Sequence, residues 1–325
     1  MAKPFLSYEQ QIDKLRHDKQ LLIFDTEYAK RILSELSYYS LIGGYKDLFK
    51  NPVSGKYSYG VTFEEIVAFY YFDEELRSLF LKYILHVERH MKSMLSYYFS
   101  EKYGEQQSAY LDEQNYNLNE KNKQEIQRLV KSLQKSVSMP TQYTYIAHHI
   151  KTYKNVPLWV AMNALTFGQV SKMYQYATSD VRTKISKNFV GITEKQLHQF
   201  VTVAACCRNI CAHGERLYSF KIKEAIPDTI IHQKMSIPQK HGQYICGKSD
   251  LFAVVIALKY LIADEEFKRF KKHFGKLIKN VLKKCPHISR ENLLNVMGIP
   301  DNWEKITRYK TYREDGDSFS PSARL

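Results

Sequence analysis

The sequence predicts an all-α protein, and three observations support this fold class. Its 325 residues include only 13 Gly and 9 Pro, too few for a fold built from many tight turns. Hydrophobic residues make up 44% and aromatic residues 14% of the chain, which is enough to form a buried core. Apolar residues recur three and four positions apart over long stretches, as they do along one face of an α-helix. We therefore expect a multi-helix bundle.

Residues 1–60 predict a small N-terminal helical module. The segment Ser7-Tyr8-Glu9-Gln10 has the form of a capping box, which begins a first helix. A second helix is expected to begin at Asp25 or Thr26. Gly43-Gly44 then interrupts the chain, because adjacent glycines favour a turn or a loop.

Residues 61–220 predict the main helical bundle. Thr62 begins one helix, and Asp73 is expected to be the N-cap of a separate, longer helix that ends at Gly104. Further helices are expected at about residues 119–136, 141–152, 157–176 and 179–189. The capping box that begins at Thr193 then opens an unusually apolar helix, which stops near Gly214.

Residues 221–312 predict a C-terminal helical extension. Residues 221–249 mix Pro, Gly and β-branched residues and are expected to be irregular. Residues 250–263 predict a buried helix that is too short to span a bilayer. Asp264 is expected to cap a strongly basic helix that ends at about residue 284. The last segment, 313–325, is predicted to be a disordered tail.

The charge balance is the first indication of function. The chain has 48 Lys and Arg against 34 Asp and Glu, a formal net charge of +14. A basic surface attracts polyphosphates such as RNA, although a surplus of solvated lysine is the alternative. The lysines predicted either to follow an RNA backbone or to form a solvated surface are Lys268, Lys271, Lys272, Lys276 and Lys279 of the basic helix. The tyrosine pairs 38/39, 70/71 and 97/98 either stack on unpaired bases or pack half-buried.

Several features predict a cytoplasmic protein without a cofactor. No window approaches the roughly 18 apolar residues of a membrane-spanning helix, and the charged N-terminus lacks the apolar region of a secretory signal. The five cysteines are an odd number, which favours reduced thiols over a disulfide framework. Because no CxxC or HExxH motif occurs, we expect no metal site. Because no segment is long and apolar enough to span a bilayer, we also expect no membrane partner.

One polar constellation points to chemistry. Arg208, Asn209 and His213 stand at the end of the apolar helix that begins after Thr193, and Asn209 and His213 are four residues apart on one helix face. A histidine can transfer the proton of an RNA 2′-hydroxyl, and an arginine can bind the phosphate. An Arg-Asn pair followed by a histidine at this spacing occurs only here in the chain. The structural alternative is that Arg208 pairs with a carboxylate while His213 caps the helix.

Five blocks of the sequence resemble the Abi-like (abortive infection) proteins of bacteria. They are residues 4–50, Asp73–Arg77 with Val87–Glu88, Pro157–Trp159 with Leu165–Gly168, Arg208–His213 with Arg216–Leu217, and Met297–Trp303. That family is similar to the HEPN superfamily of helical-bundle ribonucleases, which carry an arginine followed by a histidine after four to six residues. The resemblance therefore implies a HEPN-like bundle with metal-independent endoribonuclease activity, used as a toxin or in defence against phage.

The resemblance also implies roles for individual residues and partners. Arg208 and His213 would be catalytic, with Asn209 as a polar accessory. HEPN sites are usually composite, so a chain with one motif is expected to form a homodimer. Arg216 and Arg77 stand in matching blocks and are predicted to contact RNA, although a helix-surface ion pair is the alternative for Arg77. RNA is the predicted substrate, and a regulatory non-coding RNA is a further expected partner. The rival hypotheses are a protein that binds RNA without cutting it and a helical regulator of another protein.

Overall fold

The protein is described by a computed structural model that covers residues 4–312 and confirms the all-α fold. The helices of this region are α1 (Tyr8–Asp13), α2 (Thr26–Leu36), α3 (Phe63–Tyr103), α4 (Gln107–Leu111), α5 (Lys123–Ser136), α6 (Thr144–Tyr153), α7 (Leu158–Ala161), α8 (Phe167–Tyr176), α9 (Ser179–Ser186), α10 (Glu194–Ala212), α11 (Ile230–Lys234), α12 (Leu251–Leu261), α13 (Asp264–Lys284) and α14 (Arg290–Met297). Strands β1 (Gln239–Lys240) and β2 (Gln243–Tyr244) form an antiparallel hairpin. The predicted disordered tail, 313–325, lies outside the described residues.

Local capping signals located several helix starts correctly. The Ser7 side chain accepts the backbone N–H of Gln10, and the Gln10 side chain accepts the N–H of Ser7, which completes the predicted capping box of α1. The same reciprocal pattern begins α10 at Thr193. Asp25 caps α2 by accepting the N–H of Tyr28. These caps are read from the sequence because both partners lie within three residues.

The expectation of two helices after Thr62 was wrong, because α3 is a single helix of 41 residues. Thr62 is its N-cap, and Asp73 lies in its interior without any exposed surface. The Asp73 carboxylate accepts the backbone N–H groups of Leu217 and Tyr218 instead of capping its own helix. An aspartate before an apolar run resembles an N-cap, but the true partners of this one are more than 140 residues away along the chain.

The predicted helix at 157–176 is also divided. Its first part is α7, a 3₁₀ turn follows at Met162–Ala164, and Thr166 then caps α8. The Thr166 hydroxyl accepts the N–H of Gln169, and the Gln169 side chain accepts the N–H of Thr166. Asp264 is likewise the first residue of α13 and does not cap it; its carboxylate pairs with Lys259 at 2.6 Å.

Helix α3 is the central element, with α10 and α13 packed along it. The apolar stripe of α13 meets α3 through edge-to-face aromatic contacts, with the Phe80 ring centroid 5.1 Å from that of Phe270. Helix α12 is buried along its whole length, as predicted, and packs against α10, where Phe200 stacks on Tyr260. Between residues 4 and 312, no helix is both long and apolar enough to cross a bilayer.

Candidate active site at the end of helix α10

The predicted catalytic residues all lie at the C-terminal end of α10, with Arg208 and Asn209 inside the helix and His213 as its C-cap. Asn209 and His213 are exposed, and Arg208 is half-buried, so solvent reaches all three residues. The backbone N–H of His213 donates to the Asn209 carbonyl at 2.9 Å, which keeps these two residues within one helical turn. Gly214 follows with a φ of +68°, the left-handed conformation that ends many helices. The helix therefore stops where the sequence predicts, and its polar end is open to solvent.

The Arg208 side chain lies against a buried carboxylate on α3. Its Nε atom lies 3.6 Å from the Oε2 atom of Glu88, and the other Glu88 oxygen pairs with Lys92 at 2.8 Å. Only 6% of the surface of Glu88 is exposed. Arg208 Nε and Glu88 Oε2 are both buried and have no hydrogen-bond partner among the described residues. Glu88 is thus the carboxylate with which Arg208 pairs under the alternative of a structural role, but no hydrogen bond joins the two side chains.

Sequence reasoning missed Glu88 as a site residue. It stood in a block that resembles the Abi-like proteins, but no role was predicted for it. A signal was present, since Glu88 falls among apolar residues of α3 at the spacing of the buried face, with Ile84 four residues before it and Met91 three residues after it. A carboxylate on such a face needs a partner because an unpaired buried charge is costly. The sequence does not say which of the 48 cations provides it.

A second polar cluster lies under the loop that follows His213. The Asp73 carboxylate accepts the Tyr218 N–H at 2.7 Å, the Leu217 N–H at 3.1 Å and the Tyr45 hydroxyl at 2.8 Å. It also pairs with the Arg77 guanidinium at 2.7 Å. Each Asp73 oxygen is thus satisfied, and the cluster joins the N-terminal module, α3 and the loop after α10.

The burial of Arg77 argues against its predicted contact with RNA, and the alternative of a pair on the helix surface was wrong. The guanidinium is buried, bonded to Asp73, and lies 3.4 Å from the Glu215 carbonyl. The loop after His213 covers it because the Asp73 carboxylate binds two backbone N–H groups of that loop. Arg77 therefore positions the loop and is not available to a ligand.

Arg216 is exposed beside the same loop. Its Nη1 atom donates to the Gly44 carbonyl at 3.2 Å, and its methylene chain lies against Gly44, where a Cβ atom would come within 3.3 Å of the Arg216 Cδ atom. No carboxylate of residues 4–312 lies within 4 Å of its guanidinium.

The basic side of α13 carries mostly exposed lysines in the described part of the chain. Lys268 pairs with Glu265 at 2.6 Å, and Lys271 is half-buried. Lys272, Lys276 and Lys279 are exposed and have no carboxylate of the described chain within 4 Å. These three cations are therefore free to bind phosphates.

The basic side of α13 and the end of α10 are on different sides of α3. Glu88 of α3 faces Arg208, whereas His86 of α3 bonds Glu266 of α13 at 2.8 Å. Residues that are two positions apart in an α-helix point in directions that differ by about 200° around its axis. The contacts of Glu88 and His86 therefore lie on nearly opposite sides of α3. The exposed face of α3 that connects these sides carries Arg89. A polyanion would have to cross that face to touch both.

Among residues 4–312, no three His, Cys, Asp or Glu side chains are arranged to hold a metal ion. The five cysteines lie within the described chain and are not paired with one another. Cys207, next to Arg208, is fully buried, and burial raises the pKa of its thiol well above the usual range.

The comparisons with known proteins identify the family. A model of the Abi-like protein family matches residues 31–219, which is more than half of the chain and includes α3, α10 and all three predicted catalytic residues. Neither a curated protein nor a solved structure matches the chain. The match extends over the helices that build the candidate site, and the chain therefore belongs to the family of Abi-like proteins.

Proposed function

We propose that this protein is a metal-independent endoribonuclease of the HEPN type, acting in abortive infection or as a toxin. The observation that carries the proposal is the solvent-open end of α10, where Arg208, Asn209 and His213 stand together and the buried Glu88 lies behind the arginine. Membership in the Abi-like family supports a role in abortive infection. The assignment as a ribonuclease rests on the site residues.

The reaction needs a nucleophile, a base, an acid and a group that stabilises charge. The RNA 2′-oxygen attacks the adjacent phosphorus, the new 2′-O–P bond forms, and the P–O5′ bond breaks, which leaves a 2′,3′-cyclic phosphate. His213 takes the 2′-hydroxyl proton or gives a proton to the departing 5′-oxygen. Arg208 binds the phosphate oxygens and offsets their growing negative charge. Asn209 orients the imidazole or donates to a phosphate oxygen.

Glu88 has a positioning role in this scheme. Its contact with Arg208 Nε restricts the guanidinium while the two Nη groups remain available to a phosphate. A guanidinium held in place before substrate arrives loses less conformational freedom on binding.

Acid and base must act at the same time, and one histidine cannot do both in one step. A second copy of the chain would supply the other His213, which is why the proposal includes a homodimer with two α10 ends at one cleft. His213 and Asn209 are exposed, as such an arrangement requires. The exposed lysines of α13 would bind the RNA backbone at a distance from the cleft.

The direct test is incubation of labelled RNA with the purified protein in EDTA, followed by analysis of the product ends. Wild type is expected to give 2′,3′-cyclic phosphates, and His213→Ala is expected to lose this activity by about 10²- to 10⁴-fold. His17→Ala is the matched control, since His17 is also exposed at the end of a short helical turn. If wild type leaves varied RNAs intact, including RNA from phage-infected cells, and His213→Ala is equally toxic in cells, the nuclease proposal fails.

A second candidate function is RNA binding without cleavage. The observation that favours it is the set of exposed lysines on α13 that lack a carboxylate partner, since these bind phosphate without any catalytic group. Under this hypothesis Arg208→Ala binds RNA as tightly as wild type, and cyclic-phosphate ends never form. A protein that purifies without nucleic acid and binds none would instead point to a regulator that docks on another protein.

A further inference from the structure

Two exposed side chains lie on consecutive glycines beside the candidate site. Gly43 and Gly44 end the turn Tyr39–Gly43 in the N-terminal module. The Tyr39 ring lies against Gly43, where a Cβ atom would be 3.7 Å from the nearest ring carbon. Arg216 lies against Gly44 and donates to its carbonyl. The two glycines are neighbours, about 3.8 Å apart between Cα atoms, so Tyr39 and Arg216 lie in the same region of the surface.

This pair adjoins the end of α10. Arg216 follows His213 by three residues, and three residues of extended chain span at most about 11 Å. The loop between them is exposed and is fixed from below by the Asp73 carboxylate, which binds the next two backbone N–H groups. Arg216 is therefore fixed relative to His213 by main-chain contacts.

The Tyr39 ring is open to solvent on the side that faces away from Gly43. Its side chain is 86% exposed, its hydroxyl makes no hydrogen bond within residues 4–312, and no other aromatic ring of that range packs on it. Tyr38, its neighbour in sequence, is half-buried and packs on the core. An aromatic ring left open beside a guanidinium that lacks a carboxylate offers a stacking surface next to a phosphate ligand.

We infer that Tyr39 and Arg216 form a subsite for one unpaired nucleotide of RNA, beside the loop that follows His213. Tyr39 stacks on the base, and Arg216 binds the phosphate of that nucleotide. The bases of a duplex are stacked inside the helix and cannot reach the tyrosine, so the subsite selects single strands, loops or bulges. This inference rests on the proposed function for the position of the scissile phosphate, while the binding itself needs no cleavage.

The test measures binding in the inactive His213→Ala background, by fluorescence anisotropy of a labelled single-stranded RNA and of the matched duplex. Adding Tyr39→Ala is expected to weaken single-strand binding roughly 5- to 100-fold, as for the loss of one stacked base, and to leave duplex binding unchanged. Tyr39→Phe keeps the ring and is expected to bind like the background. Tyr59→Ala, at a fully exposed tyrosine of the same module, is the matched control.

A second variant moves Arg216 without removing its charge. Gly44 has a φ of −83°, which alanine adopts without strain, but the new Cβ would displace the Arg216 chain. Gly44→Ala is therefore expected to weaken single-strand binding in the same direction as Tyr39→Ala.

The inference is overturned if Tyr39→Ala binds the single strand like its background, if it weakens single strand and duplex equally, or if the background binds no single strand at all. These results are separate from the proposed reaction, which is judged by cleavage with wild type. Loss of single-strand selectivity in Tyr39→Ala, with no cleavage by wild type, would support the subsite and reject the nuclease.

Discussion

Two arginine–carboxylate pairs lie where α3 meets the end of α10 and the loop that follows it, and they differ in distance, burial and hydrogen bonding. The pair Asp73–Arg77 is closed: its atoms lie 2.7 Å apart, both residues are buried, and the carboxylate also binds Tyr45 and two backbone N–H groups. The pair Glu88–Arg208 is open. The Glu88 Oε2 and Arg208 Nε atoms lie 3.6 Å apart, and neither makes a hydrogen bond among the described residues. The arginine is also half-exposed to solvent.

The difference in hydrogen bonding suggests different roles for the two pairs, one in stability and one in the proposed activity. A buried polar group that is fully bonded holds a fold together, because opening it would leave its partners unsatisfied. A buried polar atom without a partner is a cost, and a bound ligand is one way to offset it. The closed pair fixes the loop after His213. In the proposed function, the open pair leaves Arg208 able to bind an RNA phosphate.

The largest effect is expected from breaking the closed pair. Arg77→Ala leaves Asp73 buried without its cation, and we expect a loss of about 3–5 kcal/mol in the free energy of unfolding. Denaturant unfolding followed by circular dichroism measures it. Arg89→Ala, at an exposed arginine of the same helix, is the control and should change stability by less than about 0.5 kcal/mol. A cost near that of the control would show that the pair is not structural.

A smaller effect on stability, but a clear one on activity, is expected from Glu88→Gln. The amide removes the charge that faces Arg208 and Lys92, so we expect a loss of about 1–2 kcal/mol in the free energy of unfolding. Because Arg208 is then less well positioned in the transition state, kcat should fall at least about tenfold with little change in KM. Glu74→Gln, at an exposed glutamate of α3, is the control. Full activity in Glu88→Gln would contradict the positioning role.

A further buried and fully hydrogen-bonded polar group, His232, lies in the C-terminal extension. Its contribution to stability can be tested by changing the pH. The buried His232 accepts the Thr229 N–H at Nδ1, at 3.1 Å, and its Nε2–H donates to the Gly247 carbonyl at 2.9 Å. Burial lowers the pKa of His232 below its usual 6.5, although the Gly247 bond opposes this, and the charges of Lys248 and Asp228 act in opposite directions.

The sign follows from proton binding. Below pH 6.5 the unfolded chain binds a proton at His232 that the folded chain does not, so the free energy of unfolding falls as the pH falls through this value. The wild-type protein should therefore lose stability more steeply below pH 6.5 than His232→Gln does, as measured by unfolding at several pH values. Parallel curves for the two proteins would contradict the assignment of a neutral, buried imidazole.

The smallest effect is expected from the open cations of α13. Lys272→Gln with Lys276→Gln should reduce the slope of log affinity for single-stranded RNA against log salt by about 0.7 for each phosphate that the variant no longer neutralises. Lys131→Gln with Lys135→Gln is the matched control, because these are exposed lysines at the same spacing on α5. Equal slopes for the two double variants would show that α13 is only a solvated surface.

The sequence predicted those parts of the fold that depend on local interactions. The capping boxes at Ser7 and Thr193 and the helix end at Gly214 involve partners within a few residues, and the structure confirms them. The apolar stripe of α13 also follows from its spacing alone. The place of Arg208, Asn209 and His213 at one helix end follows from the same local pattern, and their catalytic role stays a prediction.

The errors arose where the partner is distant along the chain. Asp73 resembled an N-cap and Arg77 a surface cation, because the backbone N–H groups and the Glu215 carbonyl that bury them lie about 140 residues away. Glu88 was missed because its partner, Arg208, is brought to it only by the packing of α10 on α3. Distances between helices, which decide whether a polar pair is open or closed, are set by tertiary packing and leave no local pattern.

The most direct test of the central claim is Arg208→Ala, measured for stability and for RNA cleavage in the same preparation. If the open pair serves function, the free energy of unfolding should change by about 1 kcal/mol or less, because Glu88 keeps Lys92, while cleavage in EDTA is lost. A variant that unfolds as readily as Arg77→Ala, or that cleaves RNA like wild type, would contradict the account.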